Sequence, residues 1–530
     1  MTAAGTPDDG ADPETRLRDC ALRGEEFDLA AGRPIDPSVA SSWGAGPAIR
    51  AEVVRDLLHD GPGQVDPRGI RLRGARLFGP LDLTGLSSEV VLDLFECHLP
   101  DGMIARDARL GVVRLHRCRV EDGLAAERLV ASVLAITGSV ISGAGTAGAI
   151  AVPAARLGQF DCDGATVTNP SGPAIQADSL RVEFDISLRR GFTGTGTGPA
   201  GVICLLGARA ARLECDGALL RNPDGPALRA DSLQVDQRCF LRAGFSAYGT
   251  GPIGALRLNG ARLGLFSCHG AVFRNPSGPA IVAESMQVER GAFIGPGCRA
   301  DGHGEQGVVR LTGTRVGGRL HLDPDAVRNT APGAPAAAVD GLTYAGLPEG
   351  GTVAQWLRLL GARSATYTPQ PYQQLAAGCR AAGQDREARE VLVAQRKDEL
   401  RRGGLSPAVR AWVRVTGWTL GYGYRPWLAL AWLGGVVVAA IVVAVGLGGA
   451  GGLAHPDEGG SAPCTVVERV GVALDLSIPL LRTGARQQCE ATGSAAGQWL
   501  IAAGWLLQLL GWVFATLFVA GFTGAVRRPA

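Results

Sequence analysis

The sequence predicts a mainly β protein: a parallel right-handed β-helix solenoid, followed by an α-helical hairpin and two transmembrane helices. Three observations carry this reading. A 53-residue unit repeats in the middle of the chain almost without insertions. Short alternating apolar runs precede it at a spacing of 21 residues. Two long stretches without any charge lie near the C-terminus.

The repeat is the firmest of the three. One copy, Ala155 to Val182, reads A-R-L-G-Q-F-D-C-D-G-A-T-V-T-N-P-S-G-P-A-I-Q-A-D-S-L-R-V, and its frame returns at Ala208–Val235 and Ala261–Val288. Cys162, Cys215 and Cys268 are 53 apart, as are Asn169, Asn222 and Asn275, each followed by proline. A fixed period of this kind marks a solenoid, in which each unit buries its apolar face on its neighbours. Inward positions recur as Leu180, Leu233 and Met286, with Val182, Val235 and Val288 two residues on. The unit is too long for one coil of 21 residues, so it is read as two coils with longer corners.

Upstream, V-L-D-L-F-E-C-H-L, V-V-R-L-H-R-C-R-V and V-L-A-I-T-G-S-V-I align so that Leu92, Val113 and Leu134 stack, as do Cys97, Cys118 and Ser139. Alternation turns every second side chain to one face, as short strands require. The β-helix is placed at residues 69–324, and a partial fourth copy closes it near Leu322. Residues 1–47 read as loosely ordered, and Ala48–Leu58 reads as a helix capping the first coil. Together they form an N-terminal segment, residues 1–68.

Asp325–Gly351, rich in Pro, Ala and Gly, reads as a linker. Residues 352–425 then carry helices and a basic juxtamembrane segment. Apolar stripes at Tyr372, Leu375 and Cys379, and at Ala388, Val391 and Leu392, face each other across a turn at Gly383, which makes a helical hairpin. The hairpin is similar to one tetratricopeptide unit, and a docking connector is the favoured role for a single such unit.

Residues 426–453 and 499–526 are each 28 residues long and uncharged, against about 20 needed to span a hydrocarbon core. Basic residues crowd the outer flanks: Arg396, Lys397, Arg401, Arg402, Arg410, Arg414 and Arg425 before the first span, Arg527 and Arg528 after the second. The loop between, residues 454–498, has only Arg469, Arg482 and Arg486. The positive-inside rule then puts both termini and the solenoid in the cytoplasm of a multi-pass plasma-membrane protein. The loop lies outside, where Cys464 and Cys489 are candidates for a disulfide. Between them, Arg469–Leu481 is apolar apart from Arg469 and Asp475, and lies on the membrane or re-enters it. The partners expected are the lipid bilayer, another protein on the β-helix face, and a second copy through the membrane helices.

Net charge is +2, which offers no case for a nucleic-acid partner. Lys397 is the only lysine among 52 basic residues, a coding bias and not a functional signal. The acidic N-terminus has no apolar core of a signal peptide. None of the 12 cysteines forms a C-x-x-C pair. No catalytic residue, metal site or cofactor site emerges. G-A-G-T-A-G at Gly143–Gly148 has dinucleotide-loop spacing, but a β-type run follows it, and Gly148 recurs in frame as Gly201, Gly254 and Gly307. A solenoid corner accounts for all four. The cysteine ladders read as core packing, because His98 and His269 point away from the cysteines they follow and only His116 shares a face with Cys118. Asp178, Asp231 and Glu284 line one corner; β-helix lyases use such carboxylates, yet repetition in every unit favours a structural bond.

The A-R-L-x-G and L-x-L phrases resemble pentapeptide-repeat and related right-handed β-helix proteins. With Y-x-P-Q-P-Y-x-Q-L-A at Tyr367–Ala376 and the two spans, the whole chain resembles a class of actinobacterial membrane proteins with a cytoplasmic β-helix, labelled membrane-associated oxidoreductases. That resemblance implies redox activity, while the residues themselves supply no nicotinamide, flavin, haem or iron–sulfur motif. The residues favour a membrane-anchored scaffold or recognition protein. Its alternatives are the oxidoreductase and a two-helix pore or sensor module.

Overall fold

The computed structural model describes residues 12–32, 35–36, 48–61, 64–361, 364, 367–404, 406–422, 427–456, 462–478, 481 and 483–527. Arg425, Pro426, Arg482 and Arg528 lie outside the described residues, as do parts of the segments 1–47 and 469–481. The chain forms two compact units, Met1–Ala388 and Arg389–Ala530.

The first unit is a parallel β-solenoid. Its short strands form three stacks of 15, 12 and 11 strands, and every inter-coil pairing is parallel. Leu92, Val113 and Leu134 are register partners, as the 21-residue spacing requires. The 53-residue unit is two coils: Leu157 pairs with Val182, and Arg181 with Arg209.

The stacking shows why the repeat needs two coils. Leu180 sits beside Ala155 and Ala208, because Arg181 N–H bonds Ala155 and Arg209 N–H bonds Leu180. Leu233 likewise lies between Ala208 and Ala261, and the next large residue is Met286. A second interior column runs Ala165, Phe192, Ala218, Phe245, Ala271; a third runs Cys162, Leu188, Cys215, Leu241, Cys268. All of these side chains are buried. Large and small residues alternate from coil to coil, so each large side chain fills space that its small neighbours leave. Leu233 therefore packs on alanines and not directly on Leu180 and Met286, which corrects the expected ladder.

Asparagine fixes the loops. Asn169 Nδ2 donates to the Pro173 carbonyl across its own loop and to the Gly145 carbonyl on the preceding coil, at 2.9 and 2.7 Å. Asn222 and Asn275 repeat both bonds. Each is buried, and each buried amide finds two carbonyl acceptors.

Both ends of the solenoid differ from expectation. Within the segment 1–47, Pro13–Arg23 forms a helix (α1), and Glu26–Asp28 pairs with Arg71–Arg73 as an earlier rung. Ala48–Arg50 is a strand paired with Arg76–Phe78, and helix α2 follows at Ala51–Asp60. Its buried face, Val53, Val54 and Leu58, meets the capping role. At the other end, 325–351 is a further coil and not a linker. Val327 pairs with Ala300, Ala337 with Val309, and Asn329 makes the same clamp to Gly304 and Pro335. Alanine suits this interior, so a composition that reads as a linker fills a narrow core.

Helix α3 follows at Val353–Gly361 and α4 at Gln370–Ala381. Helix α5, Asp385–Arg402, follows the turn at Gly383, whose φ is +74°. The second unit adds α6 (Pro407–Leu420), α7 (Trp427–Leu447), α8 (Val466–Ser477), α9 (Ala485–Gln488) and α10 (Ala495–Arg527). Trp427–Gly452 and Ala495–Ala520, 26 residues each, are long and apolar enough to cross a membrane.

Candidate interaction face

The repeat builds a charged face at one corner of each coil. There a residue takes the left-handed conformation: Ala154, Ser179, Ser232 and Ser285 have φ of 56, 56, 57 and 56°. On the intervening coils Gly207, Gly260 and Gly313 take that place at 62, 64 and 69°. The next residue turns inward, and the one after it turns out to solvent. That outward position is Arg109, Arg156, Arg181, Arg209, Arg262 and Arg315, all at one register. Val130, Gln234 and Gln287 complete the column.

The six arginines are exposed, and among the described residues none of them forms an ion pair. Neighbouring rungs lie about 4.8 Å apart, so like charges are held at close quarters. Two residues downstream, acids appear only on every second coil, as Glu183, Asp236 and Glu289. Gly158 and Gly264 stand on the coils between, where a Cβ would meet the carbonyl oxygens of Ser132 and Asp236 at 2.4 and 2.1 Å. Around Arg156, Arg181 and Arg209 the surface is concave, enclosing about 640 Å³. Val130 and Phe184 open into it, 41% and 54% exposed. Three arginines against the one nearby acid, Glu183, leave a charge of +2 beside exposed apolar surface.

The sequence-derived candidates fall elsewhere. Asp231 accepts from Arg257 Nε at 2.8 Å and from Asn259 N–H at 3.2 Å, and Asp178 from the Cys204 thiol at 3.0 Å. These are corner bonds. The three acids sit on alternate coils and do not converge. Cys162 and Cys215 are interleaved with Leu188 and Leu241, and burial pushes both thiols far up. The Cys268 thiol is raised by its contact with Cys298 and by burial. Such thiols carry little thiolate, the form that attacks or binds metal. Cys97 and Cys118 do stack, and Cys118 N–H bonds Ser139 Oγ at 2.9 Å. His116 turns away to Thr137 Oγ1 at 2.5 Å, so it does not join Cys118. Gly143–Gly148 forms a corner before the strand Ile150–Ala151; Gly148, Gly201, Gly254 and Gly307 share φ of 108, 103, 104 and 107°.

In the second unit Cys464 and Cys489 are joined, with Cα atoms 6.2 Å apart. His455 and Glu468 lie beside the bridge, 3.3 Å from each other. With both sulfurs bonded to each other, two ligands remain, short of the four a structural zinc site uses. Helix α8 starts from a capping box, Thr465 with Glu468. It buries Ala473 among Val436, Ala440, Ala444 and Leu507. Ala440 lies seven residues before the end of α7, a depth of about 10 Å. Gly504 is the seat of Leu476: a Cβ there would meet Leu476 Cδ2 at 2.9 Å. Helix α6 leaves Trp412 and Trp418 67% and 71% exposed and meets α7 where the Trp418 and Trp432 rings stand 4.6 Å apart.

Arg109, Arg156 and Arg262 of the column stand in A-R-L phrases, but each arginine alone reads as ordinary surface. The column's signal is register: residues 25 to 28 apart become neighbours once the two-coil period is known. No family model matches the chain, nor does any curated protein or solved structure.

Proposed function

We propose that the protein is a membrane-anchored recognition scaffold whose arginine column docks an acidic partner protein. The observation that carries this is the column itself: six exposed guanidinium groups at one register, in excess over the three acids beside them and in no ion pair among the described residues. Arginine forks match carboxylates bidentately, and a rigid solenoid presents them without a backbone ordering cost on binding. Phe184 and Val130 supply the apolar contact that a specific interface needs at its centre. The anchor is the pair α7 and α10. The tryptophans of α6 beside Arg410 and Arg414 suit a helix lying at the lipid interface. The charge asymmetry around the two spans favours a cytoplasmic solenoid.

A photo-crosslinking aromatic residue in place of Phe184 in the full-length protein in cells tests the docking face and keeps every arginine. An adduct with an acidic protein is expected at 184, absent from the exposed position 195 on another stack. Reversal of Arg156, Arg181 and Arg209 to Glu, with the crosslinker kept at 184, should abolish the adduct. Equal adducts at 184 and 195, or none at 184, would sink the docking face. A chromophore band in the visible spectrum of the purified protein would instead favour the redox reading that the family resemblance implies.

A second reading, a pore or sensor module, is favoured by one observation: α8 is packed against both α7 and α10 at depth. A segment that enters and leaves on one side is tolerated inside a bilayer only where it is buried in protein or lines water. Ion flux in liposomes, lost on Gly504→Leu, separates this from a plain anchor.

A further inference from the structure

The second stack of the solenoid breaks the repeat on its outer face. Its outward column holds Thr168 and Thr195 on successive coils. On the next coils the same register holds Arg221, Tyr248 and Arg274, then Asp301 and Arg328. The pairing of this stack, the asparagine clamps and the large–small alternation of the interior continue across this boundary. The fold therefore needs neither an aromatic nor a charge at these positions, since threonine serves at the same register in the coils before. Residues that a repeat adds without structural need mark a place where something besides folding is served.

Arg221, Tyr248, Arg274 and Asp301 line a groove of about 610 Å³. That is within the range of small-molecule sites, roughly 300–1,000 Å³. The guanidinium carbons of Arg221 and Arg274 stand 5.4 and 6.0 Å from the Tyr248 ring centroid, one from each neighbouring coil. The Tyr248 hydroxyl makes no hydrogen bond among the described residues. Arg274 is partly held by Asp301 at 3.5 Å, while Arg221 and Arg328 have no acid partner among the described residues. Within the groove two guanidinium groups against one carboxylate leave a charge of +1, and Arg328 continues the column beyond it.

The walls are apolar and fixed. Pro223 and Pro276 flank the groove in the asparagine-clamped loops. Thr250 Oγ1 donates to the Pro223 carbonyl at 2.7 Å and its N–H to Gly225 at 2.8 Å, locking the loop between them. A preformed site of this kind costs little reorganisation on binding.

We propose that this groove binds a phosphorylated small molecule, with the phosphate against the tips of Arg221, Tyr248 and Arg274 and the organic body against Pro223 and Pro276. A phosphomonoester carries about −1.5 to −2 and three acceptor oxygens, which the positive groove attracts and its two guanidinium groups and free hydroxyl can donate to. The volume exceeds what a bare phosphate fills, so a body the size of a sugar or a nucleoside is accommodated. This site lies on a different stack from the arginine column and is independent of the scaffold reading.

Titration calorimetry on the full-length protein in detergent micelles tests it, with AMP, glucose 6-phosphate and inorganic phosphate as probes and adenosine and glucose as neutral controls. One organic phosphate is expected to bind at least about tenfold tighter than its neutral counterpart, the scale of a lost charge-assisted hydrogen bond. The two organic arms identify the body. Tyr248→Thr and Arg221→Thr install the residues that the repeat itself carries at this register, so both variants should fold and both should weaken binding about tenfold or more. Arg181→Thr, on the other face, should leave binding unchanged while it impairs the docking face. Failure of every organic phosphate to bind the wild-type chain overturns the proposal. So does binding that both threonine variants retain, or binding of inorganic phosphate alone, which would be an adventitious ion only.

Discussion

Replacing Leu233 by alanine tests the alternation of large and small residues directly. Leu233 is 0% exposed and is flanked along the stack by Ala208 and Ala261, which are also buried. Removing three carbon groups forfeits ~2.4 kcal/mol of transfer free energy at ~0.8 each. The two alanine neighbours have nothing to extend into the void, so a cavity term raises the cost to about 4 kcal/mol. In a solenoid this falls mainly on the affected coil and its neighbours. Four kcal/mol corresponds to a rise of roughly 10³ in the locally open population, and cleavage follows that population when closing outpaces cutting. Limited proteolysis of the full-length protein in detergent at low protease concentration, with fragments mapped by mass, should show cutting within the coils around 209–262. Leu233→Met, the residue that stands one unit later as Met286, should cost under ~1.5 kcal/mol. Wild-type resistance in Leu233→Ala, or equal damage from Leu233→Met, would refute the packing argument.

The remaining predictions concern charge, pH and topology. Burial is the leading cause that lowers the His98 pKa, partly opposed by Glu121 at 3.5 Å. The neutral ring is therefore the folded form, its contribution holds above the unfolded value of ~6.5, and it is lost as pH falls through that value and the depressed one. A His98→Gln variant should show a flatter fall in melting temperature on acidification, and an unchanged slope would clear His98 of any part in it. Cys464 and Cys489 should resist thiol labelling on intact cells until a reductant is added; prompt labelling would remove the bridge. A bridge over a separation of 25 is worth roughly 3 kcal/mol on the chain-entropy estimate. Reporters fused before Met1 and after Ala530 should both read cytoplasmic, and one read from outside would overturn the assigned orientation.

Much of the architecture was legible because solenoid packing writes itself into sequence with a fixed period. The stacking of Leu92, Val113 and Leu134 and the two coils per unit follow from spacing alone. What spacing cannot convey is which residues become neighbours. Leu180 and Leu233 look like successive rungs in the sequence, yet Ala208 comes between them. The last coil was hidden for a related reason. Asn329 stands 54 residues after Asn275 with no proline behind it, and its loop is longer, so the frame slips although the clamp survives. The pairing of Cys464 with Cys489 could be read from compartment logic, whereas the burial of α8 against Ala440 and Leu507 could not. An apolar segment with one acid is compatible with lying on a membrane or inside one. The Tyr248 groove was invisible because its residues are separated by whole coils.

The alternation in the interior gives the solenoid a parity. Remove one coil and Leu180 would meet Leu233, while Phe192 would meet Phe245. Two large side chains would then compete for one layer, and elsewhere two alanines would face a void. Remove two coils and every column closes again in step. Growth and loss by pairs preserve the core, whereas growth by singles clashes with it. The natural unit of length change in this chain is therefore the full 53-residue pair. That quantum lengthens each outer face by two rungs, about 10 Å at a time. A family of such molecules would differ in reach by discrete steps while presenting the same chemistry at each one.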